Sequence, residues 1–258
     1  MTGDFKLKNI KFVFLAIAKI KNWPIYFLDL FNLTQKKKIT YELRDGTKFC
    51  VRAKTTDRGI VTSVALLDEY RVKDTDLPKD STVIDIGGQT GIFTVFVSKK
   101  VSKVYSYEPT AENYSMLKKN ILINKLQNNI FAFKKAVSSR EKTFKIYMSS
   151  NNTGGHSAFR TGEADRYETV KATTLKNIFE ENSIKRCDLM KIDAEGSEYD
   201  ILYPLPKKYF SRILKIYMEY HDLDNKKKNH KFLVRFLKRV GYNVEYHDGL
   251  LYASRTSL

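Results

Sequence analysis

Two polar turns carry the residues best suited to chemistry in this chain. The first lies in Val83-Ile84-Asp85-Ile86-Gly87-Gly88-Gln89-Thr90-Gly91, a short apolar strand running into a glycine-rich turn, and Glu108 closes the next strand-like run, Val101 to Tyr107. Glycine takes backbone angles closed to other residues and lets a ligand come close, while amides that open a helix face polar atoms. Gly87, Gly88 and Gly91 are therefore expected to make room for a nucleotide-like cofactor, with Asp85 acting on it through the loop or an amino-acid moiety. A carboxylate at the tip of the second strand can accept both hydroxyls of a ribose, the role expected of Glu108. The second turn lies in Asp188-Leu189-Met190-Lys191-Ile192-Asp193-Ala194-Glu195-Gly196-Ser197-Glu198, again a strand that ends in a polar turn and opens a helix.

A dinucleotide site would show G-x-G-x-x-G, but Gln89 stands where the second glycine would fall after Gly87. What remains, D-x-G-x-x-x-G with a downstream acid, resembles the first motif of Rossmann-like methyltransferases that use S-adenosylmethionine. Taken with Glu108-Pro109, Asn152 to Ser157, the Lys191 to Glu198 run and Glu219-Tyr220-His221, the chain resembles the FkbM-type family of O-methyltransferases, roughly from Asp57 to His221. The resemblance implies S-adenosylmethionine as cofactor and a hydroxyl acceptor on a sugar, glycan precursor or related metabolite. It also implies a class I α/β fold, with a mostly parallel seven-stranded sheet, helices on both faces and a C-terminal antiparallel hairpin.

Transfer of a methyl group to a hydroxyl needs a base within hydrogen-bond reach of the departing proton. Three candidates fall on the expected catalytic edge: Asp193, His221 and, in a glycine-containing loop, His156. Glu219 shares a strand face with His221, where a carboxylate could raise the basicity of the imidazole. Asp193, Glu195 and Glu198 can also be read as ordinary helix N-terminal acids stabilised by the dipole. Lys191 is unusual for a central strand and is expected to pair with a carboxylate. Glu195, Glu219 and Lys191 are thus supporting or substrate-binding candidates. A divalent metal on Asp193, Glu195 and Glu219 is compatible with their hard oxygen ligands, but the spacing does not require one. No C-x-x-C or His/Cys spacing marks a zinc site.

These residues need a scaffold that brings several strand ends to one edge. From Thr82 onward strands and helices alternate, which predicts a mostly parallel sheet. Strands are expected at Thr82 to Asp85, Lys103 to Tyr107, Ile130 to Ala136, Asp188 to Asp193 and Ile213 to Tyr220. Thr143 to Met148 and Glu168 to Ala172 add extra strands around the loop Asn151 to Ser157. Helices are expected at Ile92 to Lys100, Ala111 to Asn124, Thr174 to Glu181, Glu198 to Leu202 and Lys228 to Val240. A final hairpin, Tyr242 to Tyr246 with Leu250 to Ala253, turns at Asp248-Gly249. Ahead of this domain, residues 57–258, an extension over residues 1–56 combines basic aromatic helices with a hairpin, Ile39 to Arg52, about Asp45-Gly46. Asp57 to Tyr70 then shows helical periodicity, with Ile60, Val64 and Leu67 on one stripe.

The chain has 258 residues and 42% hydrophobic content, enough for one large core. A formal charge of +17 would attract phosphates, anionic lipids or acidic polymers. Two cysteines, Cys50 and Cys187, build no disulfide framework, and a reducing cytoplasm is expected. The apolar run Phe12 to Ala18 is too short to span a bilayer, and Lys19 interrupts it, so neither a membrane span nor a secretory leader is expected. Basic residues beside Trp23, Phe27 and Phe31 permit peripheral contact with an anionic membrane; the alternative is aromatics packed on the catalytic domain or another subunit. Two other functional readings stay open: an RNA methyltransferase, suggested only by charge, and a non-catalytic cofactor-binding or membrane-surface module. The run Asp193-Ala194-Glu195-Gly196 in place of a D/N-P-P-Y turn, and the lack of RRM, KH or zinc-finger patterns, make nucleic acid the weaker partner.

Overall fold

The computed structural model describes residues 13–147 and 166–255, so His156 and the Asn152 to Ser157 motif lie outside the described residues. A helical segment over residues 13–19 leads to α1 (Trp23–Leu30) and to the antiparallel hairpin of β1 (Lys38–Glu42) and β2 (Lys48–Arg52). Gly46 takes the left-handed conformation at its turn, φ 86°, and Asp45 accepts bonds from the backbone and hydroxyl of Thr47. Next comes α2 (Asp57–Ile60), continued by a π-helical stretch, Val61–Leu66.

The central sheet is built from β3 (Thr82–Ile86), β4 (Lys103–Tyr107), β5 (Ile130–Phe133), β9 (Leu189–Ile192), β10 (Lys215–Glu219), β11 (Asn243–His247) and β12 (Leu250–Ser254). Its order is β11-β12-β10-β9-β3-β4-β5. The five strands from β10 to β5 are parallel, and β12 runs antiparallel to β10 and β11. This is the Rossmann-like class I methyltransferase arrangement. The order reverses beside β3, and in such sheets the crevice for ligands opens at the carboxyl ends of the strands at that point.

Strand alternation sorts the core onto two faces. Val83, Val104, Ile130 and Leu189 join α3 (Ile92–Val97), α4 (Ala111–Ile123) and the N-terminal elements, so that Tyr41, Phe49 and Val51 share one core with the sheet. Ile84, Ile86, Met190 and Ile192 face α5 (Leu175–Glu181), α6 (Glu198–Leu202), α7 (Lys207–Phe210) and α8 (His230–Arg239). Asn120 of α4 ties the hairpin to the glycine loop: its side chain bonds both backbone groups of Cys50 and the carbonyl of Thr90.

Two expectations need correction. The strand expected from Ile130 to Ala136 breaks after Phe133, where Lys134 and Lys135 turn to solvent and ion-pair with Glu168 and Glu181. Ala136 and Val137 form β6, which joins β7 (Lys142–Tyr147) and β8 (Tyr167–Thr173) in a separate three-stranded sheet, order β6-β8-β7. The helix expected to reach Tyr70 ends at Leu66, and Leu67 is 58% exposed rather than on the buried stripe. The i to i+5 bond from Leu67 N to Thr62 O, 2.9 Å, inserts a residue into the turn, and Leu66 takes the buried place.

Arg52, at the end of β2, is buried against Asp57, which accepts from its Nε, one Nη and its backbone N at 2.8–2.9 Å. The same guanidinium reaches Asn113 of α4 at 2.8 Å. Without Asp57 the buried guanidinium keeps only the exposed Glu112, 3.1 Å from its other Nη, as counterion. Asp57→Ala is therefore expected to lower unfolding free energy by about 3–5 kcal/mol in urea titration.

Candidate active site

The two polar turns meet backbone to backbone. Gly87 has φ 77°, and a Cβ there would lie 1.8 Å from the carbonyl oxygen of Asp193. The amides of Gly87 and Gly88 both donate to Tyr107 O at 3.0 Å, and a Cβ on Gly88 would lie 2.3 Å from Ser106 Oγ. Gly91, φ 84°, lies against Leu117 of α4. The glycines thus let the first loop lie flat across three strand ends.

Beneath the loop runs a buried polar row. Asp85, Lys191 and Ser106 are register partners on β3, β9 and β4. Lys191 Nζ donates to Gly87 O at 2.7 Å and lies 3.5 Å from both Asp85 Oδ1 and Asp193 Oδ2. Burial works to depress its pKa, but Asp193 and Asp85 outweigh it and raise Lys191 above the ordinary lysine value. Asp85 Oδ2 accepts from Thr94 and Ser106. Asp85 is fully buried beneath the loop.

Above the row the crevice has two lobes that share Gly87, Gln89, Asp193 and Glu195. The first, of about 600 Å³, has apolar walls from Ile86, Val137, Phe144 and Ile146, with Glu108 at its edge. Glu108 Oε2 accepts from Gln89 N at 2.9 Å, and Oε1 from the backbone and hydroxyl of Thr110. Burial raises its pKa, and those three bonds pull it back down. With both acceptor sites of Oε1 taken and one of Oε2, Oε2 keeps one for a ligand, since a carboxylate accepts up to about four bonds. The second lobe, of about 880 Å³, is acidic: Glu69, Asp193, Glu195 and Glu219 line it with Tyr70 and Ser63.

Asp193 Oδ2 meets Lys191 and Gln89, while its buried Oδ1 has no hydrogen-bond partner among the described residues. Burial first, then the charge of Asp193, pushes Glu195 up to about 7. Glu195 and Gln89 both take left-handed backbone angles, φ 47°, unusual outside glycine and common where a site demands a fixed side-chain direction. Glu219 is also raised, chiefly by burial and then by Asp193. His221 lies outside both lobes. Its Nδ1 is 3.1 Å from Glu198 Oε1 and its Nε2 is 3.6 Å from Glu195 and 3.9 Å from Glu219. The bond to Glu198 leads the effects that push His221 up to about 9. Glu198, the fully buried first residue of α6, also accepts from the amides of Ala194 and Gly196, the helix-terminal duty open to it from sequence.

Sequence reasoning missed Glu69 and Tyr70, which precede the first strand of the sheet, and the lobe walls Val137 and Phe144 on the extra strands. An acid beside an aromatic at the end of the π-helical segment was the signal for the first pair; nothing local marks the second. Among the described residues no three His, Cys, Asp or Glu side chains are grouped as a metal ligand set.

Residues 85–244 match the model of the methyltransferase FkbM domain. The chain belongs to the FkbM methyltransferase family. The match starts at Asp85 and closes in β11, so it takes in both turns and the first lobe, while Ser63, Glu69 and Tyr70 of the second lobe lie ahead of it. Donor chemistry in a methyltransferase of this family and fold implies S-adenosylmethionine. Among characterised proteins the chain is 24% identical over 182 residues to AMB antimetabolite synthetase AmbE of Pseudomonas aeruginosa, covering 57% of this chain and 9% of that protein. It is 20% identical over 175 residues to methyltransferase sdnD of Sordaria araneosa, covering 56% of this chain and 68% of that one. The solved FkbM methyltransferase of Methylobacillus flagellatus aligns at 14% identity with a TM-score of 0.45, covering 77% of this chain and 53% of that chain.

The contact of Gly87 with Asp193 O supplies a sharp test. Gly46 has a similar φ, 86°, but open surroundings. Gly87→Ala is expected to cost more than the about 1–3 kcal/mol of a strained backbone angle, and Gly46→Ala no more than that, in paired thermal unfolding experiments.

Proposed function

We propose that this FkbM-family protein is an O-methyltransferase that uses S-adenosylmethionine to methylate a hydroxyl of a sugar, a glycan precursor or a related hydroxylated metabolite. The observation that carries the reading is the pair Asp193 and Glu195 at the junction of an apolar-walled lobe edged by Glu108 and an acidic, open one. The cofactor, when bound, supplies a methyl group already activated on a positive sulfur. The chain's own work is then alignment, exclusion of water and proton removal.

Glu108 Oε2 accepts a hydrogen bond from a ribose hydroxyl, while Ile86, Val137 and Phe144 enclose the base. Lys191 fixes Gly87 O and so the loop. Asp193 places a negative charge near the donor's positive end. Glu195 takes the proton as the carbon–oxygen bond forms. Its pKa near 7 leaves a large ionised fraction at neutral pH together with useful basicity. His221 remains a cation at neutral pH and steadies the Glu195 and Glu198 carboxylates electrostatically rather than acting as the base.

The second lobe supports that acceptor class. Four carboxylates offer many acceptors to a polyhydroxylated molecule, and the Tyr70 ring offers an apolar face. A phosphodiester chain would meet the same carboxylates with like charge, which argues against RNA.

Labelled methyl from S-adenosylmethionine is expected to enter the glycan or small-molecule fraction of cell extract, and label confined to RNA would refute the acceptor class. With that acceptor, the rate should rise with pH through about 7 as Glu195 loses its proton. Glu195→Gln should remove that limb and lower kcat by about 10²–10⁴-fold. Glu108→Gln should weaken cofactor binding about ten- to a hundredfold in calorimetry, the loss of a charge-assisted bond to the ribose.

A further inference from the structure

Helix α1 is built inside out. Its buried residues are Tyr26 and Asp29, both polar. Tyr26 Oη is 2.6 Å from Thr62 Oγ1, and Asp29 accepts from Tyr41 Oη at 2.6 Å and Lys54 N at 2.8 Å, with Arg58 Nη1 at 3.7 Å. At about 100° per residue, Trp23, Pro24, Phe27, Leu28 and Phe31 fall on the other side. None is charged. Phe31 and Leu33 are 65% and 63% exposed, Trp23 and Leu28 are also exposed, and Phe14 on the preceding helical segment is 66% exposed. Of the two readings open from sequence, packing of the aromatics on the catalytic domain applies to Tyr26 and to the half-buried Phe27, and not to the exposed Trp23 and Phe31.

Lysines flank the apolar face. Lys21 precedes α1, and Lys36, Lys37 and Lys38 follow it, all exposed. No ion pair among the described residues engages the last three, whereas Lys21 meets Glu42 at 3.0 Å. Apolar side chains with a Trp at one end and lysines at the rim are the composition of a helix that lies in a membrane interface. Each such lysine gains about 1 kcal/mol near an anionic headgroup layer. A second copy of this chain would bring the same lysines and the same net charge of +17 against the face, so self-association is opposed by repulsion. No helix among the described residues is long and apolar enough to cross a membrane.

We propose that the outward face of α1, with Phe14, Leu33 and the Lys36–Lys38 run, is a docking surface for an anionic lipid bilayer. The side chains of Trp23, Leu28 and Phe31 enter the headgroup boundary, and the lysines contact the phosphates. The methyl-transfer crevice lies on other elements, so this surface stands or falls apart from the proposed chemistry.

Trp23 is the chain's single tryptophan, and its fluorescence reports directly on the face. The full chain is mixed with vesicles of phosphatidylcholine alone or of phosphatidylcholine with phosphatidylglycerol. A blue shift of Trp23 and sedimentation at least about tenfold greater with the anionic vesicles are expected. Leu28→Gln with Phe31→Gln should lower that partition about tenfold or more while leaving cofactor affinity unchanged. Replacement of Lys36, Lys37 and Lys38 by Gln should abolish the preference for phosphatidylglycerol. An unshifted Trp23 with no sedimentation on either vesicle would overturn the proposal. So would a vesicle-independent dimer, seen by analytical ultracentrifugation, that Leu28→Gln with Phe31→Gln dissolves.

Discussion

The crevice depends on one buried ammonium group. Lys191 sits in the middle of β9 with almost no access to water, where an unpaired charge would cost several kcal/mol. Two carboxylates answer it, Asp85 from the neighbouring strand and Asp193 two residues on, and its proton goes to Gly87 O. That bond fixes a carbonyl in the loop where Gly87 touches Asp193, so a single cation sets the spacing of both polar turns. One positive charge between two negative ones also leaves a surplus negative charge on the side of the cleft. A sulfonium or an ammonium group suits that surplus, and a phosphate does not.

The strand-end placement of the site was legible because its signals are local and redundant. A short apolar run, glycines at fixed offsets and an acid at the next strand tip can each be read without tertiary contacts, and β3, β4 and β9 lie where the pattern put them. The Lys191 pairing was legible for a different reason, since an ionisable residue inside a central strand has few ways to be tolerated. The break between Phe133 and Ala136 was not, because β5 and β6 are consecutive in sequence and differ only in which sheet they join. The π-helical segment was hidden too. A stripe of Ile60, Val64 and Leu67 fits an α-helix, and only the bond that reaches Thr62 O shows that Leu66 is the residue facing inward. Glu69 and Tyr70 reach the crevice through that irregularity.

His221 shows how a juxtaposition legible in sequence gains further partners in the fold. The sequence places a carboxylate beside an imidazole, which raises its basicity, and the structure surrounds it with three: Glu198, Glu195 and Glu219. Basicity raised that far keeps the ring protonated, and a protonated imidazole has no lone pair to offer. In the proposed reaction the proton-accepting duty therefore goes to a group whose pKa burial has moved toward neutrality from below. Glu195 meets that condition because the neighbouring Asp193 charge adds to the effect of burial while His221 holds it in check.

Charge is segregated in this molecule rather than balanced locally. The exterior carries the excess behind the net +17, whereas the second lobe gathers Glu69, Asp193, Glu195 and Glu219 around a single lysine. A polyanion drawn to the surface would be turned away at the crevice, while a neutral polyhydroxylated acceptor would meet no such barrier. Long-range attraction and local recognition therefore select different partners. On that division the proposed docking of the lysines around α1 on an anionic surface and the selection by the crevice carboxylates would act independently.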